Sequence, residues 1–172
     1  MDRKFQESSA FTLIEILIVI IVLGILAMII LPQINVATDE AKLNILKTNL
    51  ERLRLSIDYY AYQHNNIYPE YHDKTGKVET DAEKAAEVFV WQLTQYTDVT
   101  GKVSTSIHWK YPYGPYITQG KMPTNPFNNK DDVMCDITTT DPKVKTSDGT
   151  TGLKFYTRTG VLLPNDGDHD DL

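Results

Sequence analysis

The sequence is poor in the residues that most chemistry requires. Its one cysteine, Cys135, excludes an intramolecular disulfide. With no activating partner evident beside it, a structural, half-buried thiol is the economical reading. Histidine is scarce and dispersed: His64, His72, His108 and His169 show no metal-ligand spacing. No G-x-S-x-G, Cys–His pairing or glycine-rich phosphate loop occurs. No active site is therefore legible, and the chain is not expected to be an enzyme. Basic residues are also in deficit, with 17 Lys and Arg against 23 Asp and Glu and a net charge of −6. That balance argues against nonspecific nucleic-acid binding, which runs on Lys and Arg contacts to phosphate. No nucleic-acid partner is expected.

What the chain has instead is one long apolar run. From Phe11 to Leu31 there are 21 residues, all apolar except Thr12, Glu15 and Gly24. A bilayer core ~30 Å thick takes about 20 apolar residues of helix, so the segment is long enough to span one. Arg3 and Lys4 precede the run and the next basic residue is Lys42, which places the N-terminus on the cytoplasmic side and the bulk of the chain outside. A cleaved secretory signal would have a shorter apolar region, ~7–15 residues, and an A-x-A-like site after it, which is absent here. The carboxylate of Glu15 is the anomaly. An acid within a span is a functional-site hypothesis, set against the plainer reading that it reaches back to the headgroups.

The local word decides between these. A short leader carrying Arg3 and Lys4 ends in Ala10, and Phe11-Thr12-Leu13-Ile14-Glu15 opens the apolar run. This resembles the class III signal of type IV pilins and of the pseudopilins of type II secretion systems. The resemblance implies that a prepilin peptidase cuts between Ala10 and Phe11, that Phe11 is N-methylated, and that Glu15 becomes the fifth mature residue. Gly24 and Pro32 fall where the family often has helix-weakening residues. The family usually has Gly before the cut, where this chain has Ala10. Cutting there leaves an α-amine four residues before Glu15, about one helical turn. In a stack of staggered subunits, one chain's carboxylate can then meet another's amine. A buried pair of this kind works mainly as a register device, since either charge left alone costs several kcal/mol.

The expected organisation has four parts. Residues 1–10 are a leader, 11–32 a transmembrane and filament-core helix, 33–64 its amphipathic continuation, and 65–172 a periplasmic globular part with an acidic tail. In the continuation, Leu43, Leu46, Leu50, Leu53, Ile57 and Tyr60 repeat at spacings of 3 and 4 and form one apolar stripe that packs on the chain's own domain. Tyr68-Pro69 limits the helix, which would run about 80 Å from Phe11 to His64. Residues 72–78 read as a loop. A second helix is predicted from a Thr80–Glu83 capping box to the breaker run Thr97–Gly101, presenting Ala85, Val88, Phe89, Gln92, Leu93 and Tyr96. Strands are predicted near 133–139, 153–157 and 160–163, the last two as a hairpin through Arg158-Thr159-Gly160. The fold class is therefore α+β: a long N-terminal helix packed on a small antiparallel sheet, the type IV pilin-like arrangement. Pro123-Thr124-Asn125-Pro126-Phe127, after Gly114-Pro115-Tyr116-Ile117, also resembles a stretch of major pseudopilins, which usually lack the disulfide loop of pilins.

Two further features each leave two readings open. The aromatic run His108–Tyr113 is either a cover over the core or a stacking surface for carbohydrate or bases. The acidic tail, with Asp166, Asp168 and Asp170, is either a solvated end or a calcium site, since calcium takes ~6–8 oxygen ligands. Major pseudopilins hold calcium near their C-terminal loops.

The resemblance as a whole implies a structural subunit of a type II secretion pseudopilus in the bacterial inner membrane, a single-pass protein supporting protein export. Its implied partners are copies of itself in a filament, the prepilin peptidase, other pseudopilins and the inner-membrane assembly platform. A type IV pilin, a competence pseudopilin, or a membrane-anchored binding or enzymatic domain are the alternatives.

Overall fold

The computed structural model describes the backbone of residues 12–172 apart from 74, 76, 79, 80, 142 and 145, and side chains outside 27–37. Helix α1 spans Leu13–Gln63 and helix α2 spans Ala82–Thr94. Five short strands follow: β1 (Tyr96–Thr97), β2 (Val103–Ser104), β3 (Val133–Asp136), β4 (Leu153–Tyr156) and β5 (Val161–Pro164). The chain forms two compact units, Met1–Ala41 and Lys42–Leu172.

In the second unit, the stripe on α1 is the core's spine. Leu46, Leu50, Leu53, Ile57 and Tyr60 are all buried, while Leu43 at its start is half-exposed. Each such apolar side chain contributes ~1.5–3 kcal/mol on leaving water. The stripe meets Ala85, Phe89 and Leu93 from α2 and Leu153, Phe155 and Leu162 from the sheet, with the Phe89 and Phe155 rings 4.6 Å apart. The α2 face is as the spacing predicts, except that Tyr96 lies beyond the helix, in β1.

The predicted cap of α2 is corrected. Asp81, rather than Thr80, caps the helix, its carboxylate accepting the Glu83 N–H at 3.1 Å. Asp ranks slightly above Thr at this position. The helix also stops three residues before Thr97, because Tyr96–Thr97 pairs antiparallel with Val103–Ser104.

The predicted sheet is corrected too. β4 and β5 form the expected antiparallel hairpin, Leu153 opposite Pro164 and Tyr156 opposite Val161. β3, however, pairs with β4 in parallel, so the three-stranded sheet is mixed, in the order β3-β4-β5. Residues 137–152 supply the connection of a dozen or more residues that a parallel pair requires.

The loops close on themselves through one repeated device. Asp73, Asp98, Asp136 and Asp148 each have a Thr two residues on, and in each case one carboxylate oxygen accepts both the Thr N–H and the Thr hydroxyl, at 2.6–2.9 Å. These are Asx-type turns. Burial pushes the Asp136 carboxyl up, but the donors of Thr139 and Thr138 outweigh it and hold it at about 2. The hydroxyl and N–H of Thr150 hold Asp148 at about 2 as well.

His64 titrates in the same direction of pH. Its ring stacks on Tyr60 at 3.8 Å, Nδ1 donates to the Tyr60 carbonyl at 2.7 Å, and Nε2 accepts the Thr97 hydroxyl at 3.0 Å. Burial lowers its pKa, against smaller opposing contributions from the Tyr60 carbonyl and Asp98. A histidine whose folded pKa lies below its unfolded value of ~6.5 costs stability once the pH falls through ~6.5. The two aspartates, depressed from ~3.9, withdraw theirs between about pH 4 and 2. The midpoint of thermal unfolding is therefore expected to fall in two stages on acidification. His64→Gln should remove the upper stage only, and an unchanged upper stage in that variant would exclude His64 as its source.

Candidate assembly interface

The apolar half of α1 is built to be covered. Leu13 is 87 % exposed, and the large side chains of Ile14 and Ile16–Leu26 range from 46 to 63 %. They point in all directions around the helix, and a helix that is apolar all round belongs in a membrane or a core. An added Cβ at Gly24 meets nothing within 4 Å, so its missing side chain serves no contact within the chain. Helix α1 runs through both Gly24 and Pro32. Among the described residues, no helix is long and apolar enough to cross a membrane. The span expected over 11–32 includes Phe11 and the side chains of 27–32, which lie outside the description.

Glu15 has partners of its own that the sequence reading missed. The Thr12 N–H and hydroxyl both donate to its Oε2, at 2.7 and 2.8 Å, and the Glu15 N–H returns to the Thr12 hydroxyl at 3.3 Å. This reciprocal pair is a capping box, and its T-x-x-E signature stands in the sequence. An ionised carboxylate offers about four acceptor positions, so the cap leaves Glu15 room for a further donor. The cleavage and methylation positions, Ala10 and Phe11, lie outside the described residues.

The other candidates are not brought together. Among the described residues, no three His, Cys, Asp or Glu side chains converge as a metal would need. The tail is not a loose solvated end either. Asp166 accepts from the Asp168 and His169 N–H groups, from His169 Nδ1 at 3.0 Å and from Asn125 Nδ2 at 2.9 Å. Its oxygens are thus turned to donors of the chain itself. Asp168 is exposed and Asp170 half-exposed. Arg54 of α1 secures the end of the chain, donating to the backbone oxygens of Leu162 at 2.8 Å and Leu172 at 2.6 Å. Cys135 is fully buried, beyond the half-burial expected. Burial first, and then the charge of Glu70, push its thiol well up, which makes it a poor nucleophile. The aromatic run is divided. Tyr113 meets the His64 ring at 5.4 Å, whereas Trp109 is 78 % exposed.

Three buried amides organise the loops of the second unit. Gln92 accepts the Glu70 N–H at 2.6 Å and donates to the carbonyls of His72 and Gly101 at 2.9 and 2.8 Å. Asn125 donates to Gly152 O and Asp166, and Asn165 binds Asp148 and Thr151. Each is at most 1 % exposed. The sequence signal for Gln92 was a polar residue on an apolar helix face. Asn125 lies within the stretch that resembles the major pseudopilins.

Comparison with known proteins points the same way as the opening motif. The chain is 39 % identical over 69 residues to the type II secretion system core protein G of Pseudomonas aeruginosa, covering 40 % of this chain and 46 % of that one. It is 30 % identical over 67 residues to the protein of the same name from Vibrio cholerae serotype O1, covering 39 % and 45 %. The chain thus spans less than half the length of the curated relatives it matches. No family model and no solved structure matches.

Proposed function

We propose that this chain is a structural subunit of a type II secretion pseudopilus, with no catalysis of its own. It is inserted in the bacterial inner membrane, cut by prepilin peptidase before Phe11, methylated there, and assembled with its own copies and other pseudopilins on the inner-membrane platform. The observation that carries this reading is the exposed, all-round apolar segment Leu13–Leu26 with one capped carboxylate at its start. Such a surface is satisfied by lipid before assembly and by neighbouring helices after it. The type II secretion relatives support the choice of a pseudopilus over a pilus.

In this reading, Glu15 sets the stagger of neighbouring subunits by pairing with the Phe11 amine. Glu15→Ala is expected to leave the protein in the membrane fraction while filaments in shear fractions fall at least about tenfold. An uncompensated buried charge costs several kcal/mol, where a factor of ten needs ~1.4. Filaments of Glu15→Ala at the normal yield would exclude the register role. Mass spectrometry of the mature protein tests the processing, and a protein still beginning at Met1 would exclude it.

A further inference from the structure

Two surface features of the second unit, outside its core, each offer what the other lacks. The first is a protruding apolar tip. His108 and Tyr111 pair across a tight turn that carries Trp109 and Lys110 at its end. Trp109 is 78 % exposed and Ile107 is 68 % exposed. Lys110 Nζ lies 5.2 Å from the centre of the Trp109 ring, so the cation travels with the indole. A tryptophan can bury ~150–250 Å², and leaving one in water at a turn tip forgoes that gain.

The second is a groove of about 480 Å³ between α2 and the edge strand β3. Its walls include Ala82, Ala86, Val133 and Met134, small or flexible side chains that leave room for a large one. Glu83 and Asp136 also line the groove. Asp136, held at about 2, is charged at any physiological pH. Lys154, which also lines the groove, is turned to the Thr146 hydroxyl at 3.2 Å and the Tyr156 ring at 5.2 Å. The groove therefore presents apolar walls with negative charge, and the tip presents an indole with a positive one.

We propose that the Trp109–Lys110 tip of one subunit docks in the α2–β3 groove of the next, Trp109 over Ala82 and Ala86 with Lys110 facing Glu83 and Asp136. The occupant is a second copy of this chain because the complementary shape and charge are already present on each copy. Tip and groove are different surfaces of one subunit, so the contact is heterologous. Repetition of a heterologous contact gives a ring if it closes and an open helical stack if it does not. The contact rests on the homopolymer reading above and adds a second set of subunit contacts, outside the apolar segment of α1.

Disulfide trapping in the full-length chain tests it, in a Cys135→Ala background so that only introduced thiols react. Cells making the Glu83→Cys, Lys110→Cys chain are treated with a thiol oxidant, and filaments are imaged from the same cells. Dimers, trimers and higher multimers linked by disulfides are expected, with the single variants giving nothing beyond dimers. Adding Trp109→Ser should cut the multimers at least tenfold. Filaments without a ladder, or a ladder indifferent to Trp109→Ser, would overturn the contact and leave the homopolymer reading standing. Absence of filaments from the unsubstituted chain as well would overturn both.

Discussion

Gln92→Leu is expected to lower stability by about 3–5 kcal/mol, read from urea unfolding of the full chain in detergent micelles. The figure follows from what the substitution strands. The side-chain amide of Gln92 meets the Glu70 N–H and the His72 and Gly101 carbonyls, and the residue is fully buried. Each buried polar group left without its partner costs ~1–3 kcal/mol, part of which water and loop relaxation recover. Leucine restores the apolar contacts and none of the hydrogen bonds, so the loss reports the network rather than a cavity. The loops around 70–72 and 98–102 should loosen together, with faster amide exchange in both. A loss below about 1 kcal/mol would mean that these loops hold without Gln92.

Gly152→Ala carries the second large effect, about 3 kcal/mol or more, for a different reason. A Cβ there would lie 2.3 Å from the Lys130 carbonyl oxygen and 2.8 Å from its carbon. Those atoms are backbone and have no rotamer to move into. They are also tethered, since Lys130 O accepts the Asn125 N–H at 2.8 Å and Lys130 Nζ reaches the Gly149 and Thr150 carbonyls. Gly152 itself is bound on both sides, by Asp132 and by Asn125. Overpacking against well-held neighbours costs ~1–3 kcal/mol and occasionally more. In a chain of this size that lowers the unfolding midpoint by about 10 °C. Gly120→Ala is the comparison. It sits at φ +69 with nothing within 4 Å of its Cβ, so it should cost only the ~1–2 kcal/mol of a left-handed conformation. Equal losses from the two variants would exclude the steric cause.

The long-range order of the fold was legible where a periodic signal was strong. The 3- and 4-residue spacing from Leu46 to Tyr60 identified both the helix and its buried face, and the spacing in α2 did the same for Phe89 and Leu93. The hairpin was legible because Arg158-Thr159-Gly160 lies between two apolar runs. The parallel pairing of β3 was not, because a four-residue strand carries no signal of direction and the direction is settled by the loop that follows it. The capping role of Glu15 was written plainly as T-x-x-E, but the acid's place within the apolar run drew attention to assembly alone. Gln92, Asn125 and Asn165 were illegible as anchors, since an amide's partners here are mostly backbone groups that no side-chain pattern records.

The four Asp-x-Thr turns have an outcome of a different kind. Each loop closes on an aspartate inside itself, so exchanging an exposed residue between the aspartate and its threonine leaves the clasp's own hydrogen bonds in place. Natural selection can then reletter the exterior one segment at a time, with each change meeting a local test of folding and no global one. Divergence among related chains should accumulate at exposed positions between such aspartate–threonine clasps, Val99 among them, while the clasps themselves persist.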